Sequence, residues 1–320
     1  MTARKAKPLA AKAGPRHFLD LSEIEPAVLR KLVDNAHAMK AAGRRVPANL
    51  RPDGVEDKVL IMIFAKPSTR TRISFDVAMR QLGGQSLSPL NASDLQLGRG
   101  ESIADTARVM SRYGDVIMLR GNAHADLLEL AANASVPVIN GLTDFSHPCQ
   151  IMADIVTFEE NRGKIEGATI GWVGDGNNVA TSWIHAAAKF GFKLRLGVPP
   201  QLSPDLKVLD WAQRAGVDFE LTDGPEAAVK GADCVVTDTW VSMGQTDGPW
   251  RKQLLGPYQV DAALMNLAAK DAIFLHDLPA YRGNEVTAEV IDGPRSRVWD
   301  EAENRLHAQK AILAWCLGKD

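Results

Sequence analysis

From Val59 to His276 the chain alternates short apolar runs with longer stretches of helical period, the pattern of a parallel sheet covered by helices on both faces. The runs VLIMIF (59–64), VIML (116–119), PVIN (137–140), TIGWVG (169–174), KLRLGV (193–198), CVVTD (234–238) and AIFLH (272–276) are read as strands. Helices are expected over 74–82, 101–112, 124–133, 148–161, 179–190, 204–215 and 225–230. A length of 320 residues exceeds one ordinary core and points to about two domains of roughly 150 residues each. The stretch 148–161, with strands on either side, is expected to join two α/β halves, 17–150 and 151–300. The last helix, EAENRLHAQKAILAWCLG, lies within 301–320 and should return to brace the first half. The fold class is therefore α/β, with two doubly wound domains, each a parallel sheet flanked by helices.

Composition narrows the choice of partner. With 45% apolar and 24% charged residues the chain reads as an ordinary globular protein, and a formal net charge of −2 gives no global field to attract nucleic acid. No apolar run reaches the roughly 18 residues a membrane-spanning helix needs. A small molecule is the default ligand. Cys149, Cys234 and Cys316 are odd in number and widely spaced, which argues against a disulfide framework and against a zinc cluster. They fit a reducing cytoplasm. The opening MTARKAKPLAAKAGPR (1–16) carries five basic and no acidic side chains, as an organelle presequence would. It lacks serine and holds two prolines, so a disordered basic tail is the expectation.

KPSTRTRISF (66–75) continues directly from the first strand. Strand, short turn and helix place Ser68, Thr69, Arg70 and Thr71 at a helix N-terminus, where free N–H groups and the positive end of the dipole favour an anion. The hydroxyls and the planar fork of Arg70 add up to a phosphate cradle. The plainer reading makes Ser68 an N-cap, and Arg70 and Arg72 solvated charges. Four further clusters end predicted strands, where open α/β sheets bind ligands. They are Arg120 in MLRG; His147 and Gln150, three apart at a helix start, in DFSHPCQIMAD; Asp238, Ser242 and Met243 in TDTWVSMGQ; and His276, Asp277 and Leu278 in FLHDLPAYRG. Singly, His147 could be a capping histidine and Arg120 half of a surface ion pair.

The ordered set STRT, HPCQ, DGNN, DxxxSMG, HDLPAYRG and ENRLHAQKA resembles the aspartate/ornithine carbamoyltransferase family, from HFLDLSE at 17 to the final helix. The resemblance implies a cofactor-free, metal-free transfer of the carbamoyl group of carbamoyl phosphate to the δ-amine of L-ornithine, giving citrulline and phosphate in arginine metabolism. By matching motifs, carbamoyl phosphate should lie against Ser68, Thr69, Arg70 and Thr71, with Arg120, His147, Gln150, Asp277, Leu278 and Arg305 completing its pocket. Asn178, Asp238, Ser242 and Met243 match the ornithine site. Thr71, Arg120, His147 and Asp277 are the catalytic candidates. Gln96, in DLQLGRGES, matches a loop residue that family members offer to a neighbouring subunit, so a homotrimer with active sites at subunit interfaces is implied.

The residue types suit that chemistry. Arginines and helix-end N–H groups stabilise a departing phosphate, while Thr71, Arg120 and His147 can polarise a carbonyl turning into an oxyanion. The Gln150 amide can tell a carbamoyl NH2 from a plain acyl group. Asp238 suits an α-ammonium and Asn178 an α-carboxylate. One departure stands out: the family usually reads His-Cys-Leu-Pro where this chain has His276-Asp277-Leu278-Pro279. That cysteine contacts the reacting groups in relatives, so a different amine acceptor, or a weakly active or regulatory homologue, is the alternative. A second alternative is a dinucleotide-binding dehydrogenase. Gly174 and Gly176 supply two glycines of G-x-G-x-x-G, but Val179 replaces the third and no acidic residue ends the following strand.

Overall fold

The computed structural model describes residues 14–87, 90–91, 100–242 and 244–319. Two five-stranded sheets dominate it. The first is built from β1 (Val59–Phe64), β2 (Gln85–Ser86), β3 (Leu90–Asn91), β4 (Val116–Arg120) and β5 (Val138–Leu142), in the order β2-β1-β4-β5 with β3 also paired to β1. The second is built from β6 (Thr169–Val173), β7 (Lys193–Gly197), β8 (Phe219–Leu221), β9 (Cys234–Thr237) and β10 (Ile273–His276), in the order β10-β9-β6-β7-β8. Every pairing is parallel. Buried on both faces, the central strands must be apolar throughout rather than alternating, and β1 is buried from Leu60 to Phe64.

The helices are α1 (Pro26–Ala41), α2 (Thr69–Leu82), α3 (Ile103–Met110), α4 (His124–Asn133), α5 (Pro148–Arg162), α6 (Asn178–Phe190), α7 (Leu206–Arg214) and α8 (Pro225–Val229). They continue with α9 (Gly248–Leu255), α10 (Ala262–Met265), α11 (Ala288–Ile291) and α12 (Val298–Cys316). All seven expected strands are present, and so are all eight expected helices, the last included. Helix α2 begins five residues before its expected start because Ser68, in extended conformation, caps it at Thr71 N; Gly83, at φ +103°, ends it in the left-handed region.

Strand order reverses between β1 and β4 in the first sheet and between β6 and β9 in the second. These are the switch points at whose carboxyl ends an open sheet leaves a crevice. Helix α5 is buried from Pro148 to Phe158 and packs against β5, β10, α6 and α12, touching both sheets. Helix α12 packs on α1, α2 and α5, so the end of the chain does brace the first half. Residues 1–13 of the basic tail lie outside the described residues; Arg16 sits over the Trp315 ring at 6.0 Å.

A buried aspartate–histidine contact joins the first half to the second. Asp20 Oδ1 lies 2.7 Å from His185 Nδ1 on α6, with both side chains almost wholly buried. Burial opposes the Asp20 charge, but the hydrogen bonds and charge of His185 and the bonds from Ser22 outweigh it and hold the pKa at about 2. Because the folded pKa is depressed, the stabilisation is complete above the unfolded value of about 3.9 and disappears as pH falls towards about 2. We therefore expect Asp20→Asn to cost about 2 kcal/mol near neutrality. The stability difference from wild type should shrink between pH ~4 and ~2, as followed by denaturant titration at several pH values.

Candidate active site

One cleft of about 1150 Å³ opens at the carboxyl ends of both sheets. The β1–α2 turn supplies one wall through Ser68, Thr69 and Arg70, and Arg120 projects from the end of β4. The facing wall comes from the ends of β6, β9 and β10, through Asn178, Asp238, Ser242, Asp277 and Leu278. These candidates converge from both halves, whereas Thr71, His147, Gln150 and Arg305 do not line the cleft. Gln96 and Met243 lie outside the described residues.

The capping reading of Ser68 is seen directly in the STRT turn. Ser68 Oγ accepts from Thr71 N at 3.3 Å and caps the helix, while Ser68, Thr69 and Arg70 also face the cleft. Arg72 is exposed, as the plainer reading has it. Arg70 Nη2 donates to Leu278 O at 2.6 Å, a bond that crosses from one half to the other. Leu278 takes φ +59°, a left-handed conformation uncommon outside glycine. Its N–H donates to His276 Nδ1 at 2.9 Å, so both its backbone polar groups are tied down.

Beneath the cradle lies a buried layer. Thr71 Oγ1 accepts from Arg120 Nη1 at 3.1 Å and from Arg305 Nη2 at 3.2 Å, and Arg305 Nη1 donates to Gln150 Oε1 at 2.6 Å. Three guanidinium groups therefore converge from α2, β4 and α12. Burial, then the charge of Arg305, pull the Arg120 pKa down to about 10, and burial lowers Arg305 as well. The charges of Asp277 and Asp154 offset this in part, and a bound anion would relieve it further.

His147 stands at the N-cap of α5, but its side chain makes no capping bond, and Nδ1 is buried without a hydrogen-bond partner among the described residues. The capping reading therefore fails. Burial and the charges of Arg305, Arg120 and Arg70 push its pKa well below 6.5, leaving a neutral imidazole next to the arginines. It can polarise a carbonyl through a neutral N–H, whereas an imidazolium would add a fourth cation.

On the facing wall, Asp238 Oδ2 accepts from Asn177 Nδ2 at 2.7 Å and Oδ1 from Thr239 N at 2.6 Å. The carboxylate oxygens of Asp238 and Asp277 lie within 4.8 Å of each other. Burial, then the charge of Asp277, hold the Asp238 carboxyl well above its ordinary range, and burial raises Asp277 too. The two carboxyls share a proton, held chiefly by Asp238. The Asp277 side chain is 13% exposed and lines the cleft, so it does not point away from the ligand space. Asn178 Nδ2 donates to Thr143 O at 2.8 Å, joining the start of α6 to the loop after β5.

Donor atoms of Asp238, His276 and Asp277 lie within 4.8 Å of one another, the spacing of a possible cation site. The histidine is already committed: Nδ1 accepts from Leu278 N, and Nε2 faces the buried Glu285 at 3.4 Å. Its ring orders the HDLPAYRG turn, and that donor set does not fit a metal. The glycine motif has an equally local explanation. A Cβ at Gly176 would run into the Leu202 carbonyl and the Pro204 ring. Asn177 Oδ1 already accepts from Val179 N and Ala180 N, the groups a pyrophosphate would need.

The sequence reading missed several cleft and buried residues. Asp175 pairs with Arg251 at 2.6 Å along the cleft, and burial lifts its pKa to about 6 against that partner. Asn177 holds Asp238. Asp154 and Glu301, both buried, accept from Gln150 Nε2 at 2.8 and 3.0 Å. Each of these two lies one helical turn from a residue the motifs did identify, which was the available signal.

Two doubly wound halves that meet at an arginine-rich cleft, one wall basic and the other acidic, define a two-substrate enzyme acting on an anionic donor. Two family models match the chain: "Aspartate/ornithine carbamoyltransferase, carbamoyl-P binding domain" over residues 16–160 and "Aspartate/ornithine carbamoyltransferase, Asp/Orn binding domain" over 166–316. The chain belongs to the aspartate/ornithine carbamoyltransferase family. It is 62% identical over 304 residues to an ornithine carbamoyltransferase of Rhodopseudomonas palustris, covering 95% of this chain and 97% of that one. It is 59% identical to the ornithine carbamoyltransferase of Nitrobacter winogradskyi, covering 95% and 98%. The solved ornithine carbamoyltransferase of Pyrococcus furiosus superposes with a TM-score of 0.87 at 49% identity, covering 94% of this chain and 96% of that one.

Proposed function

We propose that this enzyme transfers the carbamoyl group of carbamoyl phosphate to the δ-amine of L-ornithine, yielding citrulline and phosphate in arginine biosynthesis. The observation that carries the reading is the convergence of Arg70, Arg120 and Arg305 around Thr71, with no carboxylate ion-pair partner among the described residues. The phosphate lies against Ser68, Thr69 and Arg70 at the head of α2. Thr71, Arg120 and the neutral His147 face the carbonyl oxygen and stabilise the negative charge it gains as the amine attacks. Gln150 Oε1 accepts from the carbamoyl NH2, and Leu278, beside Asp277, closes the pocket. The α-ammonium of ornithine lies at Asp238 and the α-carboxylate at Asn178, with Ser242 and Met243 the remaining ornithine-site candidates.

In this reading the first half, 17–150 with 301–320, binds carbamoyl phosphate and the second, 151–300, binds ornithine. Gln96 reaches the site of a neighbouring subunit in a homotrimer, and the enzyme is cytoplasmic. Among the described residues no helix is long and apolar enough to cross a membrane. The test is citrulline formation by the purified chain, with putrescine as the competing acceptor. Ornithine should win clearly, because a simple diamine leaves polar groups desolvated and unpaired at roughly 1 to 3 kcal/mol each. Equal rates with both amines would reject the roles of Asn178 and Asp238.

The shared proton has a consequence for binding. Below its raised pKa Asp238 is neutral, and an incoming α-ammonium must expel the proton. L-norvaline, which lacks the δ-amine, isolates this step. Its affinity should rise with pH until the Asp238–Asp277 pair has ionised, with up to one proton released per molecule bound. Calorimetry in buffers of different ionisation enthalpy measures that release; a pH-independent affinity without proton release would contradict it.

A further inference from the structure

We propose that Asp154 and Glu301 are positioning residues that clamp the Gln150 amide with its oxygen towards the donor, and so let the enzyme distinguish a carbamoyl group from other acyl groups. The inference rests on the reading of Gln150 as the partner of the carbamoyl NH2. A primary amide can face either way in a pocket, and only one orientation offers an acceptor. Here both Nε2 hydrogens are engaged, one by Asp154 Oδ1 at 2.8 Å and one by Glu301 Oε1 at 3.0 Å. The amide oxygen accepts from Arg305 Nη1 at 2.6 Å and keeps a second lone pair. A flipped amide would point NH2 at a guanidinium and its oxygen at two carboxyls with one proton between them, so at most one of the three contacts could stay favourable.

The clamp itself is over-determined. Gln150, Asp154, Glu301 and Arg305 are each 3% exposed or less. Burial lifts Asp154 to about 7 and Glu301 well above its ordinary range, so the pair retains a proton between its oxygens. Glu301 Oε2 also accepts from His276 N at 2.8 Å, and the turn that follows presents Leu278 O to Arg70. Helix α12 therefore orders both sides of the donor pocket through Arg305 and, one turn earlier, Glu301.

The experiment compares carbamoyl phosphate with acetyl phosphate, which offers a methyl in place of NH2, by calorimetric titration of full-length variants. Asp154→Ala should weaken carbamoyl phosphate about tenfold while leaving acetyl phosphate within about twofold, and Glu301→Ala should lower the ratio of the two affinities by a similar factor on top of a loss common to both ligands. Glu301→Ala should be the more severe because it also frees His276. Asp154→Asn keeps an oxygen for Gln150 Nε2 and should retain most of the selectivity. In a Gln150→Ala background neither alanine substitution should change the ratio of the two affinities. Equal weakening of both ligands, or effects that add in full to that of Gln150→Ala, would overturn the positioning role. Where an alanine variant does not fold, Asp154→Ser or Glu301→Ser, too short to reach Nε2, replaces it with the same expected ratio. Gln150→Ala that leaves carbamoyl phosphate affinity unchanged would instead sink the underlying assignment of Gln150.

Discussion

Arg70→Ala is expected to weaken carbamoyl phosphate roughly ten- to hundredfold without unfolding the protein. A charge-assisted bond to a phosphate is worth about 1.5 to 3 kcal/mol, and Arg70 is the cradle's guanidinium at the mouth of the cleft rather than in its floor. Among the described residues its hydrogen-bond partner is the backbone carbonyl Leu278 O, so truncation leaves no buried charge behind. Arg70→Lys should recover only part of the affinity, because an ammonium cannot make the planar, two-pronged contact. The same substitution should weaken norvaline measured in the presence of carbamoyl phosphate, since the Arg70–Leu278 bond links the donor wall to the acceptor wall. Calorimetry of both ligands decides the matter: unchanged donor affinity in Arg70→Ala would remove the phosphate cradle from the mechanism.

What was legible in the sequence was whatever a local pattern encodes. Continuous apolar runs announced the strands because doubly covered strands cannot alternate. Ser68 and Pro148 marked helix starts, and the motifs brought Arg70, Arg120, Asp238 and Asp277 to one cleft, with His147 buried near its arginines. The short strands β2, β3 and β8 were missed because two or three residues carry no period. Helix α1 was missed despite Leu29, Leu32, Val33 and Ala36 at helical spacing behind Pro26, a signal that was present and overlooked. The hidden part of the site is of another kind. Asp154 and Glu301 look like solvated helix charges in one dimension, and only tertiary packing of α5 on α12 turns them towards Gln150. Sharing of a proton between Asp238 and Asp277 likewise depends on burial, which residue identities alone do not give.

Asp277→Cys is expected to raise kcat/KM for ornithine about tenfold at neutral pH. Asp277 lines the cleft next to Asp238, so its charge falls within reach of the acceptor. With Asp238 holding the shared proton, the negative charge sits on Asp277; when an α-ammonium displaces that proton, the pair becomes doubly negative. The δ-amine, with a pKa near 10, must lose its own proton to attack, and a nearby carboxylate raises that pKa by about one unit or more. The reactive fraction then falls about tenfold. The shared proton softens this penalty before ornithine binds but not afterwards, because the α-ammonium needs the Asp238 charge. A neutral thiol removes both conflicts: Asp238 ionises more readily, and the δ-amine deprotonates nearer to neutrality. The rising limb of kcat/KM against pH should therefore shift down by about one unit in the variant. Asp277→Asn separates charge from chemistry, since an equal gain would assign the whole effect to the carboxylate, and a gain confined to cysteine would assign it to the thiol. A lower rate with ornithine in both variants would mean that the carboxylate is matched to its acceptor, and would direct the search to amines other than ornithine.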